Sequence, residues 1–175
     1  VMQHFFEEPI ISGTEEDGTL KNGSGTIFFS SCNLKCCYCQ NSEISTEALG
    51  KEVSTEALAD IFKQLENAGA NNINLVTPTH YTLQIIEALK IYKPNIPIVY
   101  NSNGFEDVET IKTLKNLVDV FLVDIKFFDP ELSKKYCKAS NYFDVCSKAV
   151  LQMLAQQPQI VLQNGTIQKG VVVRH

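Results

Sequence analysis

Cys32, Cys36 and Cys39 fall within the run Cys32-Asn33-Leu34-Lys35-Cys36-Cys37-Tyr38-Cys39 as a C-x3-C-x2-C set. Three thiolates this close together can hold one metal centre. A cube of four irons held by three cysteines keeps one iron free of protein ligands, and a small molecule can bind there directly. Zinc is the competing reading, because it also takes closely spaced cysteines. A structural zinc needs four ligands. Cys37 could be the fourth, although neighbouring residues are awkward ligands for one tetrahedral ion. Cys137, Cys146 or His80 could supply it from elsewhere in the chain. Using Cys37 in place of Cys36 would change the register to C-x4-C-x-C.

The elements around this loop must position it. Thr26-Ile27-Phe28-Phe29 reads as a buried strand running into the cysteines, with 26–31 as its span. Chemistry is commonly placed where a strand ends and a loop begins in α/β folds. Residues 32–50 read as the cysteine loop and an irregular exit. Ser54 is a good helix N-cap, and Leu58, Ile61, Phe62, Leu65 and Ala68 make one apolar stripe before Gly69. Asn74-Leu75-Val76 is a short strand ended by Thr77-Pro78-Thr79. Residues 81–92 are helical, and Ile98-Val99-Tyr100 is a strand ended by Asn101-Ser102-Asn103-Gly104. Val108, Ile111, Leu114 and Val118 mark a helix, and Val120–Val123 a strand ended by Asp124-Ile125-Lys126. Pro130 suits a helix start, and 142–156 is a further helix. Asn164-Gly165 is a two-residue hairpin signal between Gln159–Gln163 and Thr166–Gln168. A last strand covers 171–174. Residues 1–25 read as loop with a short hairpin, and Ile10 and Ile11 could cover one end of a core.

Strand and helix alternate along the chain, which predicts an α/β fold of parallel strands joined by right-handed crossovers. Continuous apolar strands fit either a sheet covered on both faces or a barrel. Periodicity alone leaves an open sheet and a partial barrel equally open.

The motif C-x3-C-x-aromatic-C after a strand, with Tyr38 at the aromatic position, resembles the radical S-adenosylmethionine (radical SAM) enzymes. The wider stretch Gly23-Ser24-Gly25-Thr26-Ile27-Phe28-Phe29-Ser30-Ser31 through Gln40-Asn41 is similar to the branch that includes pyruvate formate-lyase activating enzyme. The resemblance implies a partial (β/α) barrel over 26–175, lacking its C-terminal units, after an N-terminal loop/hairpin extension at 1–25. It implies a [4Fe-4S] cluster on Cys32, Cys36 and Cys39, with S-adenosyl-L-methionine as the second cofactor. Reductive cleavage would give methionine and a 5′-deoxyadenosyl radical, which takes a hydrogen atom from the substrate. Such a reduction needs a low-potential cluster, and the range open to these clusters reaches about −700 mV.

The same resemblance assigns the strand ends to the cofactor. Thr77 and Thr79 stand where many relatives have a Gly-Gly-Glu type turn, so their hydroxyls replace a carboxylate. Asn101 and Ser102 match an Asp-Thr-Asn-Gly turn, with Asn101 lacking the charge. Asp124 and Lys126 match an Asp-Leu-Lys element, and extended backbone places them on one side. With Tyr38, these are the expected cofactor-binding residues; no catalytic residue beyond the cluster ligands is expected. Read from the residues alone, the same turns could be no more than a Pro-containing turn with a helix cap, a turn tolerant of positive φ, and a rim ion pair. His80 is expected to start a helix, and Cys37, Cys137 and Cys146 to be bystanders or structural. Arg174 and His175, on the last strand, could also face the site. Ser31 stands where relatives tend to have Gly. The implied substrate is a glycine Cα–H of a partner protein, with a flavodoxin or ferredoxin as electron donor. The alternatives are a radical SAM enzyme acting on a small molecule, and a non-catalytic iron–sulfur or zinc module.

Bulk properties narrow the setting. The 175 residues suit one domain. A net charge of −5 with both signs mixed gives no footprint for nucleic acid or an anionic membrane. No apolar run approaches the roughly 20 residues of a membrane span. The N-terminus lacks the pattern of a signal peptide. Six cysteines, three of them crowded into one loop, favour a reducing compartment, and a cytoplasmic protein is expected. The start at Val1-Met2 and the end at Val171–His175, inside an apparent strand, suggest a piece of a longer fold.

Overall fold

The computed structural model describes residues 1–5, 7–13 and 22–175. The loop expected over 14–21 lies outside them. Five parallel strands form the body: β2 (Ser24–Phe28), β3 (Ile73–Val76), β4 (Ile98–Ser102), β5 (Val120–Asp124) and β7 (Thr166–Arg174). Two short antiparallel strands sit at the edges, β1 (Met2–His4) on β2 and β6 (Val161–Gln163) on β7. The order is β1-β2-β3-β4-β5-β7-β6. Between them lie α1 (Pro9–Ser12), α2 (Ser42–Ser45), α3 (Thr55–Asn67), α4 (Thr82–Ile91), α5 (Val108–Thr113), α6 (Pro130–Cys137) and α7 (Tyr142–Gln156). The chain is an α/β partial barrel.

Local chemistry sets these elements. The Ser54 hydroxyl accepts from Ala57 N at 3.2 Å and starts α3, whose Leu58, Phe62 and Leu65 are buried. Asp107 caps α5 by accepting from Thr110 N at 2.8 Å. Asp129 accepts from Glu131 N and Leu132 N before Pro130 opens α6. Asn164 and Gly165 both take positive φ and turn β6 into β7, as the two-residue signal predicts.

The two faces of the sheet are filled differently. On the outer face, Ile27, Leu75, Tyr100 and Phe121 pack with side chains of α3, α4, α5 and α7. On the inner face Ile11 of α1 is fully buried with Val99, Val120, Leu122 and Ile167. Asn72 and Asn71 tie α1 down by donating to the Ile11 and Ser12 carbonyls at 2.7 and 2.6 Å. The N-terminal stretch is therefore part of the core. It also supplies a strand, β1, that pairs with β2 without a tight hairpin between them.

Three boundaries differ from the sequence reading. The first strand runs 24–28, not 26–31, because Ser31 adopts φ 69° and turns the chain toward the cysteines. The exit region 32–50 contains the single turn α2. Residues 166–168 and 171–174 form one nine-residue strand, with Gly170 at φ 137° inside it. No helix among the described residues is long and apolar enough to cross a membrane.

If α1 plugs the inner face, Ile11→Ala should destabilise the chain by about 2–5 kcal/mol, the range for emptying a buried Ile site. Urea unfolding measures this. A loss below about 1 kcal/mol would show that α1 is not docked.

Candidate functional site

The cysteine loop leaves β2 at the C-terminal ends of the parallel strands and is held from several sides. Ser31 N donates to Ile44 O at 2.9 Å. Lys35 N and Cys37 N donate to the carbonyls of Cys137 and Tyr136 at 3.2 and 2.9 Å, so the loop backbone rides on the end of α6. Leu34 is buried beneath it. The turn after β4 holds the third side. Asn103 Nδ2 donates to Asn33 Oδ1 at 2.7 Å and lies 3.3 Å from Cys32 Sγ, and Asn33 Nδ2 donates to Phe105 O at 2.5 Å.

The thiols themselves have local partners. Cys32 Sγ accepts from Leu34 N at 3.4 Å and from Asn103. Cys39 Sγ lies 3.1 Å from Ser45 Oγ. Burial, with Cys137 close by, pushes the Cys36 thiol up to about 12. Tyr38 OH is 3.2 Å from Cys137 Sγ, and its ring meets Phe127 edge-on at 6.2 Å. Cys37 is exposed, and all six cysteines are free. The three motif cysteines share one loop but are not drawn together: among the described residues, no three Cys, His, Asp or Glu side chains are gathered closely enough to hold a metal ion. The donor set nonetheless fits an iron–sulfur cluster. It offers three partly buried thiols on an anchored backbone, with two N–H groups already aimed at one sulfur. Such bonds are a known control of cluster potential. Cys36 would have to leave Cys137 and lose its proton, which metal binding drives.

The expected cofactor residues divide into two networks. Thr79 Oγ1 and Ser102 Oγ both donate to Glu106 Oε1, at 2.6 and 2.5 Å, and Tyr100 OH donates to Oε2 at 3.4 Å. Glu106 is 1% exposed. Burial raises its carboxyl above the ordinary value, against the lowering by its hydroxyl donors. The sequence reading missed Glu106, since a Glu just before a helix looks like an ordinary first-turn acid. Its partners come from the ends of two different strands. A cavity of about 400 Å³ lies beside it, touching Asn33, Thr79 and Phe105. Thr77 ends β3 at φ 57°, a costly conformation for a β-branched residue, with its N–H on Asn101 O at 2.9 Å.

The second network lies on the inner face. Asp124 accepts from Arg174 Nε at 2.8 Å and from Lys126 Nζ at 2.6 Å. Arg174 also donates to Asn101 Oδ1 at 2.8 Å, and reaches Glu7 at 3.3 Å and Glu8 at 3.5 Å. Asn101, Asp124 and Lys126 are thus brought together, with Arg174 at the centre. Glu7 and Glu8, read as loop residues, join them from the N-terminal segment. Tyr142 OH bridges the two strand ends, 2.8 Å from the carbonyls of Asn103 and Asp124 and accepting from Lys126 N. Gly104 beside it is required: at φ 80°, a Cβ would lie 2.5 Å from Asp124 O. His80 is exposed, and His175 Nδ1 contacts Ile125 O at 2.6 Å.

Residues 26–156 match the family model of the Radical SAM superfamily. The chain belongs to this superfamily. It is 34% identical over 150 residues to an uncharacterized protein of Methanocaldococcus jannaschii, an overlap of 81% of this chain and 44% of the relative. The chain thus spans under half the length of that relative. The crystal structure of methylornithine synthase (PylB) superposes with a TM-score of 0.50 over 73% of this chain and 41% of that one, at 14% identity. That likeness concerns the fold, and it agrees with the partial barrel. Radical SAM enzymes use a [4Fe-4S] cluster and S-adenosylmethionine.

Two outcomes follow from this geometry. A raised carboxyl pKa means the folded chain binds protons that the unfolded chain has released, so the penalty of Glu106 grows as pH rises above its unfolded value of 4.5. Glu106→Gln removes that titration, so its stability relative to the parent should improve from pH 4.5 toward neutrality. A pH-independent difference in urea midpoints would contradict the assignment. Left-handed backbone costs a residue with a Cβ roughly 1–2 kcal/mol. Ser31→Gly should therefore stabilise the chain by about 1 kcal/mol after the glycine's greater unfolded-state entropy is subtracted. An unchanged or lower midpoint would place no strain at Ser31.

Proposed function

We propose that this chain carries the cluster-binding and cofactor-binding part of a radical SAM oxidoreductase. The supporting observation is the three-cysteine loop anchored at the C-terminal ends of the parallel strands, with Asn103 of the turn after β4 on Cys32 and Lys126 of the turn after β5 near Cys36. Cys32, Cys36 and Cys39 would hold the cluster, and Asn103 would orient Cys32 through its 3.3 Å contact. When bound, the cluster and S-adenosylmethionine supply one-electron reductive cleavage and a carbon radical that abstracts hydrogen. Tyr38, Thr77 and Thr79 would line the rim above buried Ser102, with Thr79 and Ser102 both held by Glu106. Asp124 and Lys126 present opposite charges to the cofactor from one strand end.

The similarity of residues 23–41 to the glycyl-radical activases favours a glycine Cα–H of a partner protein as the hydrogen source. A flavodoxin or ferredoxin would then supply electrons in a reducing cytoplasm. A small-molecule substrate is the second reading, and a specific observation favours it. The inner face is lined by partly buried charged groups, which suits recognition of a small polar molecule.

The test is anaerobic reconstitution with iron and sulfide, followed by dithionite and S-adenosylmethionine. Roughly four irons per chain and formation of 5′-deoxyadenosine are expected. Ala at Cys32, Cys36 or Cys39 should each abolish the cluster, and Cys37→Ala should retain it. Iron kept in Cys36→Ala and lost in Cys37→Ala would move the ligand register by one residue. Zinc in place of iron would end the radical reading for this chain.

A further inference from the structure

The end of α6 beside the cysteine loop carries positive charge that the chain does not neutralise. Lys134, Lys135 and Lys138 are the only charged residues between Leu132 and Asn141, and Lys35 is the only one between Cys32 and Asn41. Lys35 N and Cys37 N donate to the carbonyls of Cys137 and Tyr136, so the two segments lie side by side. All four lysines are exposed, and among the described residues none of them pairs with a carboxylate. The acids of α6 stand at its other end, where Asp129 caps the helix and Glu131 lies in the first turn. Glu43 belongs to α2, beyond Cys39. Four like charges thus share one corner of a chain whose net charge is −5.

Aromatic rings join this corner to the loop. Lys135 Nζ lies 4.9 Å from the centroid of the Tyr136 ring. Tyr136 stacks on Phe127 at 5.7 Å, and Phe127 meets Tyr38 at 6.2 Å. Lys138 Nζ folds back to donate to the Lys135 carbonyl at 3.3 Å, so two lysine head groups sit over this end of the helix. Tyr38, next to Cys39, is 48% exposed, and Phe128, next to Phe127, is 76% exposed. Aromatic surface left in water forgoes burial that a partner could supply. Exposed rings with a charged rim have the anatomy of a protein interface.

The charge selects the occupant. An acidic protein is attracted to this corner and repelled by the remainder of the chain, which fixes where it lands. The surface borders the cysteine loop, so a protein seated there is brought close to whatever those thiols hold. We infer that the cysteine loop and the end of α6 form the docking surface for a small acidic one-electron carrier protein of the ferredoxin type. One electron leaves the reduced carrier and passes to the cluster held by Cys32, Cys36 and Cys39, with no bond formed or broken and no proton transferred. The purpose assigned to the surface rests on the radical SAM reading above; its binding of an acidic protein does not.

The 175-residue chain, labelled with ¹⁵N and free of cluster, is titrated with an oxidised, acidic plant-type [2Fe–2S] ferredoxin and followed by NMR. Backbone signals of Lys35–Tyr38 and Phe127–Lys138 should move or broaden, and those of α3 should stay in place. Raising salt from about 20 to about 200 mM should weaken the affinity by about tenfold or more. Replacing Lys135 and Lys138 together by Glu should weaken it by about tenfold while keeping the folded spectrum, and Lys63→Glu on α3 should leave it unchanged. Binding that maps elsewhere, or that salt and the double variant do not change, would overturn the inference. So would equal effects from a short DNA duplex, which mark a general polyanion surface. Self-association of the chain through the same signals would replace the carrier by a second copy. Mapping and salt dependence in the wild type decide the matter even if the double variant does not fold. Because the titration needs neither cluster nor S-adenosylmethionine, its failure and a failure of the radical reading show up in separate experiments.

Discussion

Parallel strands have to be covered on both faces, and that constraint organises this chain. The crossover helices α3, α4, α5 and α7 cover only the outer face. The inner face has no crossover of its own. What fills its floor is Ile11, carried in by a four-residue helix and seated against Val99, Val120, Leu122 and Ile167. Two residues further along the same strands the inward positions turn polar, at Asn101, Asp124 and Arg174. Along β4, β5 and β7 this face is thus apolar at its floor and charged at its mouth. The alternation of side chains along a strand makes that division possible without breaking any ladder.

Beyond the last ladder bond, the strand ends need other ties. Buried polar groups provide them. Glu106 gathers hydroxyls from Thr79, Ser102 and Tyr100, and so links the turns after β3 and β4. Tyr142 links the turn after β4 to the end of β5. Arg174 links β7 to β5, β4 and the N-terminal segment. A buried carboxylate without donors would be too costly to keep, but three hydroxyls offset much of that cost. These ties hold the rim in one arrangement, as sites that act on a bound molecule require.

Local patterns were legible in the sequence, and long-range partnerships were not. The α3 stripe, the short apolar strands and the Asn164-Gly165 turn each depend on residues a few places apart. The cysteine loop was legible for the same reason. Glu7 and Glu8 find their partner at Arg174, more than 160 positions away, and no periodicity announces that. The strand through Gly170 reads from the sequence as two pieces; it is continuous in the structure, with its register against β6 shifting between Val161 and Leu162. Ser102 ends β4, and Thr79 lies in the turn three residues past β3. The direction of their hydroxyls depended on Glu106, whose burial is a tertiary fact. Tetrahedral spacing arguments could not separate iron from zinc, and the family supplies that answer.

The cysteine loop combines a fixed backbone with exchangeable sulfurs. Its main chain is bonded to Ile44, Tyr136 and Cys137, and Leu34 is sunk beneath it. Its sulfurs hold weaker local contacts: Cys39 with Ser45, Cys36 near Cys137, Cys32 with Asn103. A neutral thiol gives up such contacts at a cost of about 1 kcal/mol each, on the scale of ordinary hydrogen bonds. Structural metal–thiolate sites contribute on the order of 10 kcal/mol or more. Under the proposed ligand assignment the balance would favour metal, and the anchored backbone means that few other groups would have to move. A loop built this way could fold first and take up the proposed cluster afterwards.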